Sequence, residues 1–146
     1  NRPLYETKEH LMGEAEVVNK IEHLWKANLK KLPIKYKLDY AAERNGNIVA
    51  WIEIKCRTND MLDYQTYMLS LDKYNASIEL GNVTNLPVTL VVKWTDKIGY
   101  VDLLHCRGVI KMGGRIDRKD PQDVEPVVFI PIEDFREITD ESSHKR

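Results

Sequence analysis

The chain has 146 residues, a length that one domain can fill with its own hydrophobic core, and its 42% hydrophobic and 31% charged residues are those of an ordinary globular protein. No apolar run is long enough to cross a bilayer, and a net charge of −1 argues against a protein that coats nucleic acid through a strong general field. Cys56 and Cys106 lie far apart without CxxC spacing, which suggests neither a zinc site nor a disulfide framework. A reducing, intracellular compartment, cytoplasmic or nucleoid-associated, is the simplest reading of that cysteine usage. The chain begins at Asn1 rather than Met, which leaves a preceding targeting segment open, and nothing in it reads as a signal peptide. Charge is uneven: residues 1–38 carry eight Lys/Arg and five Glu, residues 39–116 nine of each sign, and residues 117–146 five against nine.

From Lys8 to about Lys31, apolar residues recur at Leu11, Ala15, Val18, Ile21, Leu24, Trp25 and Leu29, the spacing of one long amphipathic helix with Thr7 as N-cap and Pro33 beyond its last turn. Ile34 to Glu43 alternates, with Ile34, Tyr36, Leu38, Tyr40 and Ala42 on one face and Lys35, Lys37 and Asp39 on the other, which predicts a strand. Turn residues follow at Arg44–Asn47, and Ile48–Cys56 is apolar on both faces until Glu53 and Lys55, as a buried central strand is. A short strand at Tyr67–Leu71 leads into a helix opened by Asp72 as N-cap and stopped near Gly81. Strands are predicted at Pro87–Trp94 and Tyr100–His105. Residues 106–126 read as a loop-rich excursion, 127–138 as a strand and helical turn, and 139–146 as a flexible tail.

The resulting order, α-β-β-β-α-β plus C-terminal strands, predicts an α/β (α+β) fold with a mixed central sheet and flanking helices, in one domain spanning 1–146 with its core at about 8–105. Trp25, Trp51 and Trp94 sit in periodic apolar segments and are expected to pack in the core. His10, His23, His105 and His144 show no ligand spacing. The sequons at Asn75 and Asn82 are short patterns that arise by chance.

Glu53 and Lys55, two apart on a strand, share a face. Charges there are costly unless paired or bound to an ion, and a metal site supplies a reason for them. Phosphodiester hydrolysis needs oxygen ligands for Mg²⁺, a positioned water, and positive charge for the transition state. Asp39, Glu53 and the Ile54 carbonyl can supply the oxygens. Lys55 can orient the water and offset charge on the phosphate.

Asp39, then Glu53-Ile-Lys55 after a turn, preceded by a helix bearing an acid, resembles the PD-(D/E)XK nuclease superfamily across roughly residues 8–95, although Leu38 rather than Pro precedes the Asp. Within it the pattern is similar to Holliday-junction resolvases, where an acid of the first helix opens E-x-E followed by two apolar residues, here Glu14 to Val18. The resemblance implies a restriction-endonuclease-like fold and Mg²⁺-dependent endodeoxyribonuclease activity, with Mn²⁺ able to substitute. It also implies DNA as substrate, cleaved in a structure-selective or site-specific way, and a homodimer or higher oligomer with no membrane association.

The implied catalytic set is Glu14, Asp39, Glu53 and Lys55. Glu14 is preferred to Glu16 because it projects near the centre of the apolar helix stripe, and Glu22 is the fallback. Register adds a constraint. A two-residue turn at Asn45-Gly46 would send Asp39 to the face opposite Glu53, so the nuclease reading needs a three-residue connection or a bulge. Lys35, Lys37, Arg57, Gln65 and Lys73 are candidate substrate contacts, Lys73 being otherwise a solvated helix lysine. Lys111, Arg115, Arg118 and Lys119 around Gly113-Gly114 form a basic loop that either grips DNA or is simply solvated. The competing readings are a non-catalytic nucleic-acid-binding or assembly module on the same fold, and a structural ion-pair network of Asp39, Glu53 and Lys55.

Overall fold

The computed structural model describes residues 8–114 and 124–139. Its elements are α1 (Lys8–Trp25), β1 (Asn28–Lys31), β2 (Tyr40–Arg44), β3 (Asn47–Cys56), β4 (Thr66–Ser70), α2 (Leu71–Thr84), β5 (Val88–Lys93), β6 (Ile98–Asp102), β7 (Val109–Gly114), β8 (Val124–Pro131) and β9 (Arg136–Glu137). Short 3₁₀ turns lie at Ile34–Tyr36, Met61–Asp63 and Ile132–Asp134. Six strands form a sheet in the order β1-β2-β3-β5-β6-β9, and β4-β8-β7 form a second. The large sheet is mixed: β3 and β5 run parallel, joined by the crossover through β4 and α2, while its other described pairs are antiparallel. Among the described residues, no helix is long and apolar enough to cross a membrane.

The centre of the large sheet is buried on both faces, which is why β3 and β5 read as nearly continuous apolar runs. On one face α1 packs Val17 and Ile21 against Ile52, Ile54 and Val91. On the other, Trp51, Leu90 and Val92 meet Tyr67, Leu69, Val128 and Ile130 of the small sheet. The tryptophans Trp51 and Trp94 are buried, and the Trp51 indole donates to the Thr84 hydroxyl at 2.9 Å.

Several boundaries differ from the sequence expectation. The helix stops at Trp25, because Lys26 turns left-handed (φ 53°) and Arg44 donates to the carbonyls of Trp25 and Lys26 at 2.7 and 3.2 Å. Residues 28–31 pair with β2 as a strand, and the Glu22 carboxylate accepts the Leu29 N–H at 2.8 Å. The helix stripe is also rotated from the predicted phase: Ala15 is exposed, whereas Val17 and Ile21 are buried and Gly13 lies against Cys56.

A Cβ added at Gly13 would sit 3.4 Å from the Cys56 sulfur, an ordinary contact. Gly13→Ala is therefore expected to stabilise the fold by about 0.5–1 kcal/mol through helix propensity alone. Urea unfolding checks this; a lower midpoint would mean that α1 cannot tolerate the methyl against β3.

Residues 34–37 are a 3₁₀ turn rather than a strand, closed by Lys37 in the left-handed region (φ 63°), and β2 begins at Tyr40. Ser70, not Asp72, caps α2, accepting the Lys73 N–H at 3.1 Å. Gly81 lies inside that helix, which ends at Asn85 (φ 58°). A Cβ on Gly81 would meet Leu104 at 2.8 Å, so this glycine serves close packing rather than termination. Part of the predicted loop is the edge strand β7, paired to β8. After the turn at Ile132–Asp134, β9 adds to β6. Thr7, Arg115, Arg118, Lys119, His144 and the tail from 140 onward lie outside the described residues.

Candidate active site

Strand alternation on β3 sends Ile52 and Ile54 toward α1 and Glu53 and Lys55 to the opposite face, beneath α2. Glu53 is 1% exposed, and neither of its carboxylate oxygens has a hydrogen-bond donor among the described residues. Two ammonium groups approach it without hydrogen-bond geometry: Lys55 Nζ and Lys73 Nζ each lie 3.4 Å from Oε2. Burial pushes the Glu53 carboxyl above its usual range and the neighbouring charge of Asp39 adds to the shift, while Lys73 and Lys55 oppose it.

Asp39 reaches this face through a bulge. The turn at Asn45 (φ 55°) and Gly46 (φ 84°) has two residues, with Arg44 paired to Asn47, the register that would misplace Asp39. Val49 is then skipped: Glu43 pairs with Ile48 but Ala42 pairs with Ala50, and the shifted ladder runs on to Tyr40 opposite Ile52. The next position on that ladder sets Asp39 across from Glu53. The bulge that the nuclease reading required is present.

Because β2 ends at Tyr40, the Ile54 N–H has no strand partner on that side and donates instead to Asp39 Oδ2 at 2.9 Å. The Trp51 N–H points toward β5, donating to the Pro87 carbonyl at 2.9 Å. Alternation therefore turns the N–H and C=O of Ile54 to the side β2 has left, beside Asp39.

Lys73 belongs to this cluster more firmly than its sequence context indicated. Capping by Ser70 places it in the first turn of α2, its side chain is 22% exposed, and Nζ donates to the Lys37 carbonyl as well as pairing with Glu53. The available signal was a lysine one turn into the helix that follows β4. Lys37 Nζ lies 3.7 Å from Asp72, and Lys35 Nζ sits over the Tyr36 ring. Arg57, next on the Glu53/Lys55 face, donates to the Tyr67 hydroxyl at 2.6 Å and lies over its ring. Burial pushes the Tyr67 phenol up to about 12, so it stays neutral as the acceptor of that bond.

The helix acids are distributed differently. Glu14 faces the α1 side of the sheet, where Oε2 accepts from the Tyr40 hydroxyl at 2.5 Å and from Lys31 Nζ at 3.2 Å. It is thus joined by one hydrogen bond to the residue beside Asp39, but does not converge with Asp39 and Glu53. Glu22 is occupied at the Leu29 N–H, and Glu16 is exposed. Gln65 lines a separate groove with Leu62, Tyr64 and Ile132. Asp39, Glu53, Lys55 and Lys73 are the charged side chains that the fold gathers. Among the described residues no three His, Cys, Asp or Glu converge as a metal cluster.

Two carboxylates and a main-chain carbonyl nevertheless suit a hard divalent cation. Mg²⁺ is held by one or two protein carboxylates, with water and substrate oxygens completing its shell. The fitting feature is Glu53 Oε1, buried without a partner while both lysines approach Oε2: an unsatisfied carboxylate oxygen in such a place is costly and suits a further cation.

Residues 1–138 match the family described as "Phage putative PDDEXK endonuclease". No curated protein sequence matches the chain. Among solved structures, Hjc of Archaeoglobus fulgidus, a Holliday junction resolvase from an archaeal hyperthermophile, superposes with a TM-score of 0.60. The likeness covers 94% of this chain and 97% of that one at 15% identity, and the shared architecture is the restriction-endonuclease-like fold.

Proposed function

Because the chain belongs to this family of phage PD-(D/E)XK endonucleases, we propose that it is a Mg²⁺-dependent endodeoxyribonuclease, able to use Mn²⁺, that hydrolyses DNA phosphodiester bonds at the Asp39–Glu53–Lys55 face. The observation that supports this most is the buried Glu53 carboxylate, without hydrogen-bond donors, set beside Asp39 and flanked by two lysines. A structural ion-pair network would instead leave Lys55 paired with both acids, whereas among the described residues it pairs with Glu53 and not with Asp39.

Asp39, Glu53 and the Ile54 carbonyl would hold the cation. A divalent ion, when bound, supplies positive charge against the phosphate and makes water more acidic. Lys55, its side chain 29% exposed, orients the attacking water and places its charge against the phosphate oxygens. Lys73 pairs with the same Glu53 oxygen as Lys55 and donates to the Lys37 carbonyl. Lys35, Lys37 and Arg57 would meet backbone phosphates. Glu14, coupled through Tyr40 to the Asp39 segment, is the helix-borne acid of the set. Cleavage of both strands would call for two copies of the chain.

Labelled linear, nicked and four-way-junction DNA incubated with Mg²⁺, Mn²⁺ or EDTA tests the reading. Products are expected with either metal and none with EDTA. Binding without cleavage would replace the proposal by the non-catalytic binding module, and neither activity by the structural network.

A further inference from the structure

Residues 33–37 form a turn that the chain pins firmly and leaves uncovered. The N–H groups of Tyr36 and Lys37 donate to the carbonyls of Pro33 and Ile34 at 3.0 and 3.1 Å, and Lys37 closes the turn at φ 63°. A left-handed lysine costs roughly 1–2 kcal/mol, so it persists where its surroundings hold it. Lys73 does so, its Nζ donating to the Lys37 carbonyl while lying 3.4 Å from the buried Glu53. The turn is therefore tied to the proposed site through a single side chain.

On this fixed turn Ile34 is 92% exposed, the barest large hydrophobic among the described residues, and Tyr36 is 45% exposed. A lone exposed hydrophobic needs no explanation. Here two of them alternate with Lys35 and Lys37, both exposed, on a hydrogen-bonded turn beside a candidate phosphate-hydrolysing centre; Lys35 lies over the Tyr36 ring and Lys37 pairs with Asp72. The chemistry matches a nucleic acid: the lysines suit phosphates, an aromatic ring stacks on a base, and an aliphatic side chain can wedge into a base step. A second copy of the chain suits the patch poorly, because symmetric contact would bring Lys35 and Lys37 against their own copies.

In a continuous duplex, base faces are covered, and opening them costs a few kcal/mol. At a gap or branch they are already bare. We propose that the Ile34–Lys37 turn is a base-stacking wedge through which the protein engages unstacked nucleotides next to the phosphate at the Asp39–Glu53 face, favouring DNA with interrupted stacking over continuous duplex. The position of that phosphate rests on the nuclease reading; the binding contact does not require cleavage.

The test is equilibrium binding of the full chain in EDTA to a duplex with a two-nucleotide gap flanked by 2-aminopurine, and to its continuous counterpart, comparing native protein with Ile34→Ala/Tyr36→Ala. Base–aromatic stacking corresponds to about 5- to 150-fold in affinity. The double variant is expected to lose affinity for gapped DNA on that scale and to lose the 2-aminopurine response, with continuous duplex shifted far less. Its melting temperature should not change, since both side chains are exposed. Equal loss on both DNAs, no loss on either, or a changed sedimentation behaviour showing that the turn joins two copies would each overturn the wedge. Failure of the native protein to cleave with metal would instead overturn the nuclease reading and leave this binding comparison intact.

Discussion

Glu53→Gln is expected to reduce metal-dependent cleavage by about 10³-fold or more while raising the melting temperature of the metal-free protein. The loss follows from removing a charged oxygen ligand, since several kcal/mol of transition-state charge stabilisation depend on the ion it holds. The gain follows from the desolvation cost of a buried carboxylate whose Oε1 has no partner and whose two ion pairs, both at Oε2, are long, a cost that a neutral amide avoids. Lys55 and Lys73 keep 29% and 22% of their side-chain surface exposed, so both can turn to water once the carboxylate is gone. About 1 kcal/mol, or a few degrees, is the expected scale.

The sign with pH is defined. The folded chain holds the Glu53 proton to higher pH than the ordinary carboxylate value of 4.5. It therefore binds more protons than the unfolded chain above that pH, and stability falls as pH rises from there through the folded pKa. Melting in EDTA across that window should show this component in the native protein and lack it in Glu53→Gln. Mg²⁺ or Mn²⁺ should reverse it in the native protein alone. A variant that cleaves like native, or that is strongly destabilised, would show Glu53 to be a structural partner of the lysines.

Lys55→Met should separate chemistry from metal binding. Its Nζ is a cation 3.4 Å from the carboxylate that would hold the metal, so removing it should leave Mn²⁺ affinity intact or increased by calorimetry. Cleavage should nevertheless fall by about 10²–10⁴-fold, the scale of losing a positioned proton-transfer group. Lys55→Arg is expected to recover little, because a planar guanidinium does not reproduce a point ammonium. Weakened metal binding in parallel with activity would assign Lys55 to holding Glu53 rather than to the reacting water. Across the two positions the split is diagnostic: Glu53→Gln loses metal and cleavage together, Lys55→Met loses cleavage with metal retained.

The candidate site was unevenly legible along the chain. Glu53 and Lys55 could be paired from strand spacing, and Asp39 from its place before the hairpin. Lys73 was undervalued because its partners, Glu53 and the Lys37 carbonyl, lie 20 and 36 residues away, positions that helix periodicity does not register. Glu14 was chosen as the helix acid from the apolar stripe, but α1 lies across the sheet from Glu53, and Tyr40 and Lys31 engage the Glu14 carboxylate. Alternation misled at Ile34 and Tyr36: period two describes a strand only if a neighbour pairs with it, and here Pro33 and Lys37 form a turn first.

The sequence by itself determined the features that depend on groups a few residues apart. These are the buried strand β3 with Glu53 and Lys55 on one face, a turn within Arg44–Asn47, and the apolar strand β5. Tertiary structure decided the rest. The end of α1 depends on Arg44, 18 and 19 residues from the carbonyls it caps; the bulge at Val49 depends on how β2 and β3 pair; the α2 cap at Ser70 sets where Lys73 points. Local backbone preferences are worth about 1 kcal/mol or less per residue, so contacts between distant segments override them wherever burial and hydrogen bonding favour another conformation.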